Sequence, residues 1–184
     1  MKNSRNLRLA VAIALVLGIV TLLRPVILYR LIPPLGRREV VKTVFQDQQI
    51  FDAMMNSPQV TAQRLHRKSD GEQVLLSDYN RDVPVTLTAD QARQIKSLLK
   101  KPSSYLWFIR SCLPDYGELY NFQSGNQTVH VAFCLKCNIV GVFIGDNDAS
   151  NAINFTSQFN PIRGQIVALS KALFPNDSEM QALK

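Results

Sequence analysis

The chain has 184 residues, 46% of them hydrophobic, with 21 Lys and Arg against 14 Asp and Glu; this is enough for one ordinary domain with a core of its own and too short for two large ones. The net charge of +7 invites a nucleic-acid reading, but residues 1 to 30 hold five of the basic residues and no acidic one, leaving sixteen against fourteen for the rest. The excess is a property of the N-terminal flank, no basic run is interleaved with aromatics, and no nucleic-acid partner is expected.

Residues 9 to 23, LAVAIALVLGIVTLL, are uncharged and come after Lys2, Arg5 and Arg8, the form of an export signal or signal anchor. As a helix that run would span roughly 22 Å, short of the ~30 Å hydrocarbon core; carried through Arg24 and Pro25 to Leu28 it reaches about the full thickness, with Arg24 snorkelling to the headgroups. The next segment, RPVILYRLIPPLG, is bulky where a cleavage site needs small residues, so an uncut transmembrane anchor is favoured over a cleaved signal. The expected organisation is a basic flank at 1–8, the anchor at 9–28, a linker at 29–37 interrupted by Pro33, Pro34 and Gly36, and a single α+β domain at 38–184. Arg24, Arg30, Arg37 and Arg38 make the downstream side as basic as the upstream one, so charge alone does not orient the anchor. An N-terminal signal of this form usually exports the domain behind it, which places residues 38–184 outside the cytoplasm, with Arg30, Arg37 and Arg38 near anionic headgroups.

Within the domain, apolar residues from Val40 to Met55 recur at helical spacing and stop at Asn56-Ser57-Pro58. Residues 60–65 and 73–76 read as short strands about an Asp70-Gly71 turn. Thr88-Ala-Asp-Gln91 matches a capping box ahead of a helix whose stripe is Ala92, Ile95, Leu98 and Leu99, ended by Pro102. Residues 117–123, 127–134 and 138–145 look like a three-stranded meander, with Val129, Val131 and Phe133 on one face of the middle strand and His130, Ala132 and Cys134 on the other. GDNDASNAIN, residues 145–154, reads as a polar loop. Asn160-Pro161 reads as the cap and first position of a helix with stripe Ile162, Ile166, Leu169 and Leu173, and residues 178–183 add a further turn. The expected fold is thus α+β: an antiparallel sheet containing the meander, packed with two to three helices, behind the transmembrane helix.

Three cysteines carry the chemistry that the sequence offers. Cys134 and Cys137 bracket the reversal between two strands, and the chain beyond Cys137 continues as Ile139-Val140-Gly141-Val142, a strand; a thioredoxin-like pair would need a helix N-terminus there. Two thiolates on a tight hairpin also suit a structural zinc, with Cys112 a third ligand and His66 or Asp115 completing the set. His130 is excluded from that shell, because four residues along a strand span ~13 Å. In an extracytoplasmic domain a disulfide from Cys112 to Cys134 or Cys137 is the default, and three packed thiols are the bland alternative.

The segments VTAQRL, LTADQARQIKSLL, CLPDYG, FCLKC and LFPNDSEMQAL, spread over residues 60 to 183, resemble a family of uncharacterised bacterial proteins, exported or membrane-attached, with a Cys...Cys-x-x-Cys pattern and no established activity. The second half of that pattern is usually Cys-Phe-x-Cys, where this chain has Leu135. The resemblance implies that the three cysteines belong together and supplies neither activity nor cofactor.

Other motifs carry less. Asp146 and Asp148 lack the later bidentate acid of a calcium loop, Ser103, Ser104 and Ser111 have no triad context, and Trp107 with Tyr105 and Phe108 reads as packing. No catalytic residue and no cofactor are expected, with structural zinc the exception to be tested. The expectation is a single-pass, extracytoplasmic, non-catalytic binding or structural module acting on a protein partner; the alternative is a metal-dependent or thiol-based activity at the cysteines.

Overall fold

The computed structural model describes residues 40–68, 75–106, 113–145 and 152–184, with the side chains of 152–157 outside the description. The anchor segment, Lys2, Arg5, Arg8, Arg24, Arg30, Cys112, Trp107, Phe108, Asp146 and Asp148 all lie outside those residues. Among the described residues no helix is long and apolar enough to cross a membrane.

Among the described residues the sheet is antiparallel and has seven strands: β1 (Gln59–Arg67), β2 (Tyr79–Arg81), β3 (Val85–Thr86), β4 (Glu118–Ser124), β5 (Gln127–Cys134), β6 (Ile139–Ile144) and β7 (Ala152–Gln158). Six of them lie in the order β2-β1-β4-β5-β6-β7, and β3 also pairs with β1. The β4-β5-β6 meander is the expected one, its first turn carried by Gly125 at φ 59° and its second by Asn138, also at φ 59°. Among the described residues four α-helices accompany it: α1 (Gln48–Asn56), α2 (Ala89–Leu99), α3 (Arg163–Leu173) and α4 (Ser178–Ala182). The architecture is α+β.

Several elements differ from the sequence expectation for identifiable reasons. The single helix expected from Val40 to Met55 is a π-helical turn, Val41–Phe45, broken at Gln46 with φ 60°, and then α1. Asp47 starts α1 because its carboxylate accepts the Gln49 amide at 2.6 Å, a local bond that competes with continuing the preceding turn. Of the strand expected at 73–76, residues 73 and 74 lie outside the described residues with the Asp70-Gly71 turn, while Leu76 opens a 3₁₀ turn, Leu76–Asp78, where Asp78 accepts the Leu75 amide at 2.9 Å, and β2 comes after it. Of the polar loop expected at 145–154, residues 146–151 lie outside the described residues and Ala152 to Asn154 instead enter β7, which pairs with β6. Asn160-Pro161 opens a 3₁₀ turn ahead of α3 with no side-chain cap bond. The capping box of α2 is present as expected: Gln91 N–H donates to Thr88 Oγ1 at 3.3 Å and Thr88 N–H to Gln91 Oε1 at 2.9 Å.

Register divides the core in two. Val60, Ala62, Tyr120, Phe122, Val129, Val131, Phe133, Val140 and Val142 share one face and join Phe51, Met54, Ile95, Leu99, Ile166 and Leu169 from the helices. Phe133 sits at the centre, edge-on to Tyr120 at 5.7 Å and to Phe159 at 4.9 Å; such ring pairs contribute roughly 0.5–1.5 kcal/mol each beyond burial. On the opposite face Leu65, Leu119, Ala132, Cys134, Ile139 and Phe143 pack under Leu76, Tyr79 and Tyr116, all from non-helical or 3₁₀ chain. The cysteine turn lies at the end of this second face.

Candidate functional site

The hairpin that holds the two described cysteines is tight. Cys134 is the last residue of β5 and pairs with Ile139, so the chain reverses through Leu135, Lys136, Cys137 and Asn138, with the left-handed Asn138 completing the reversal. Cys134 is buried and Cys137 half-buried. Their sulfurs lie 3.0 Å apart, and the Cys137 amide donates to Cys134 Sγ at 3.3 Å. β6 begins directly after the turn, so the helix a thioredoxin-like site would require is absent at this position, as the sequence indicates. β5 runs unbroken from Gln127, which keeps His130 four residues along the strand from Cys134.

Residues 113–117 pack against this turn. Lys136 Nζ reaches Asp115 Oδ2 at 3.1 Å, and Cys137 Sγ faces Leu113 O at 3.9 Å. The Asp115 carboxylate raises the Lys136 pKa above the ordinary lysine value, first through their hydrogen bond and then through charge. The Tyr116 amide donates to Tyr79 Oη at 3.0 Å, which ties this segment to β2. Tyr116 also lies over β6: a Cβ on Gly141 would fall 2.3 Å from its hydroxyl, so only glycine leaves room for the ring. Burial pushes both Tyr79 and Tyr116 above the ordinary phenol range.

Beside the turn opens a cleft of about 530 Å³ whose lining includes Arg64, His66, Arg67, Asp115, Lys136 and Glu179. Arg64, only 6% exposed, donates through Nε to Asp177 Oδ2 at 2.5 Å, through Nη2 to Glu179 Oε2 at 3.0 Å, and through Nη1 to the Gly117 carbonyl. Burial of Asp177 works against its charge, yet the Met180 amide and Arg64 hold its carboxyl below the usual range. One guanidinium thereby joins β1, the 113–117 segment and the N-terminus of α4.

Next to it in register, Glu118 is fully buried on the helical face of β4. Burial pushes it up to about 7, against the pull of Ser170, Tyr120 and Arg64. Ser170 Oγ lies 2.5 Å from Glu118 Oε2 and 2.8 Å from the Ile166 carbonyl. A hydroxyl has one proton to donate. Both short contacts are satisfied together when the Glu118 carboxyl is protonated and donates to Ser170, which in turn donates to Ile166. The geometry therefore agrees with the raised pKa.

Of the ligand candidates named from sequence, Cys112 lies outside the described residues, while His66 and Asp115 line the cleft beside the cysteine turn. His66 Nε2 is 3.2 Å from Asp82 Oδ2 and Asp115 is bound to Lys136, but among the described residues no three His, Cys, Asp or Glu side chains come together as a metal shell. His130 Nδ1 is 2.6 Å from Asn121 Oδ1, and Asn121 Nδ2 donates to Gln63 Oε1 at 2.9 Å, a polar ladder across three strands. Sequence reasoning missed Arg64, Glu118, Tyr116 and Gly141. The first two carried a signal, being charged residues in phase with the apolar positions Val60 and Ala62 or Tyr120 and Phe122. Comparison with family models, with curated proteins and with solved structures finds no match.

Proposed function

We propose that the protein is a membrane-anchored, extracytoplasmic, non-catalytic binding or structural module, held in the bilayer by residues 9–28 and presenting the domain at 38–184 to a protein partner of the cell envelope. Membership of the Cys-x-x-Cys family belongs to the same proposal. The observation that supports it is the Arg64 junction: beside the cysteine turn Arg64 is spent on three acceptors and Lys136 on Asp115. That arrangement fixes architecture and leaves the cleft rim as a surface to be contacted. The test is the full chain expressed in a bacterium with a C-terminal phosphatase that is active only outside the cytoplasm. Phosphatase activity in a membrane fraction that resists alkaline extraction supports the reading; release by alkali or an inactive reporter overturns it.

A second reading, metal-dependent or thiol-based activity at Cys112, Cys134 and Cys137, draws support from the 3.0 Å separation of two sulfurs. It predicts one equivalent of zinc or iron per chain, or turnover of a disulfide substrate by the purified protein. Absence of both overturns it.

A further inference from the structure

We propose that Cys134 and Cys137 are a modification site at which an external disulfide oxidises the pair to an intra-hairpin disulfide, leaving Cys112 outside the bond. The proposal goes beyond the anchoring reading and stands on the hairpin geometry alone.

Three observations carry it. The two sulfurs are already in contact at 3.0 Å, so closure to a bond of ~2.05 Å needs a shift of about an ångström, within side-chain adjustment. The reversal between Cys134 and Ile139 is locked by strand pairing on both sides and by the left-handed Asn138, so the backbone keeps both cysteines in one turn and their rotamers bring the sulfurs into contact. The pair is also asymmetric: Cys137 is half-exposed at the turn, whereas Cys134 is buried among Leu119, Ile139 and Tyr116. Zinc fits the two sulfurs less well, because two thiolates on one tetrahedral ion, each ~2.3 Å from it, stand ~3.8 Å apart.

The asymmetry assigns the order of events. Cys137 loses its proton to solvent, and its thiolate attacks one sulfur of the external disulfide; that S–S bond breaks, a mixed disulfide forms on Cys137, and the departing thiolate takes up a proton. Cys134, giving its proton to solvent, then attacks Cys137 Sγ and expels the second thiol. The dithiol loses two electrons and two protons, and the external disulfide gains them as two thiols. The substrate class is a small-molecule or protein disulfide. No activating helix is involved, so the step is a single stoichiometric closure.

The experiment uses the full chain in detergent, reduced, freed of reductant, and then exposed to oxidised glutathione. After acid quenching, free thiols are alkylated and peptides mapped by mass. The expected map shows the peptide containing Cys134 and Cys137 lighter by two hydrogens and unalkylated, with Cys112 alkylated, in both the unmutated chain and Cys112→Ser. Cys134→Ser is expected to stop at the glutathione adduct on Cys137. A Cys112 peptide linked to either of the others, or both hairpin thiols still alkylated, overturns the proposal, and the unmutated chain decides this even where a variant does not fold. Because the reaction is run on purified protein, its failure is independent of where the reporter places the domain.

Discussion

The two faces of the sheet are covered by different means. Over Val131 and Phe133 lie helices whose apolar stripes interlock with the strands, whereas over Ala132 and Cys134 lie Tyr79, from the start of the short strand β2, and Tyr116, from irregular chain. A helix satisfies its own backbone and needs only a greasy side. Irregular chain must find partners for each amide, and it does so here through single bonds such as Tyr116 N–H to Tyr79 Oη and Gly117 N–H to Phe133 O at 3.0 Å. The first covering is robust because it is spread over many residues; the second depends on a few fitted positions, and the cysteine turn sits under it.

Substitutions on each face put that contrast to the test. The largest effect is expected from Phe133→Ala, which removes the ring at the centre of the helical face and should cost about 4 kcal/mol, read as a lower urea midpoint with unchanged slope. Glu118 comes next. Its folded pKa of about 7 lies above the ordinary 4.5, so between those pH values the folded state holds the proton more tightly than the unfolded chain does. The contribution of Glu118 is therefore fully present below pH 4.5, falls as pH rises toward 7 and levels off above it, a loss on the order of 3 kcal/mol. Glu118→Gln keeps a donor for Ser170 and should flatten that slope in denaturation curves measured from pH 5 to about pH 8; a slope that persists would place its origin elsewhere.

On the other face, Gly141→Ala should cost about 1–3 kcal/mol by displacing Tyr116, and should also raise the alkylation rate of Cys134 while leaving Phe133 packed. If stability falls without any change at Cys134, the two faces are coupled more tightly than their coverings suggest. The smallest effect is expected from Thr88→Ala, about 1 kcal/mol, since it removes one of the two capping bonds of α2 and leaves the stripe that packs on the sheet.

Legibility from sequence divides along the same line. Period-two alternation in residues 127–134 gives both the strand and its faces, and Thr88 with Gln91 marks a helix start, because these signals are local. Val40 to Met55 keeps helical spacing across a break that depends on one Asp47 side chain, so spacing alone runs two elements together. β7 escapes a local reading because its first residues come after a polar run and its pairing is with β6, which no local pattern announces. Tyr116 over Gly141 and Arg64 bound to Asp177, 113 positions later, are contacts between distant segments. The cysteine hairpin is legible as a turn between strands, but the approach of the two sulfurs depends on rotamers that the order of residues does not specify.

The margin of the sheet beside β1 has one more effect. Its outermost rung is split into β2, three residues long, and β3, two residues long, with Pro84, which has no amide hydrogen, in the interruption. A neighbouring molecule therefore meets no continuous row of donors to zip onto, and ribbon-like polymerisation along this border is discouraged however crowded the copies become.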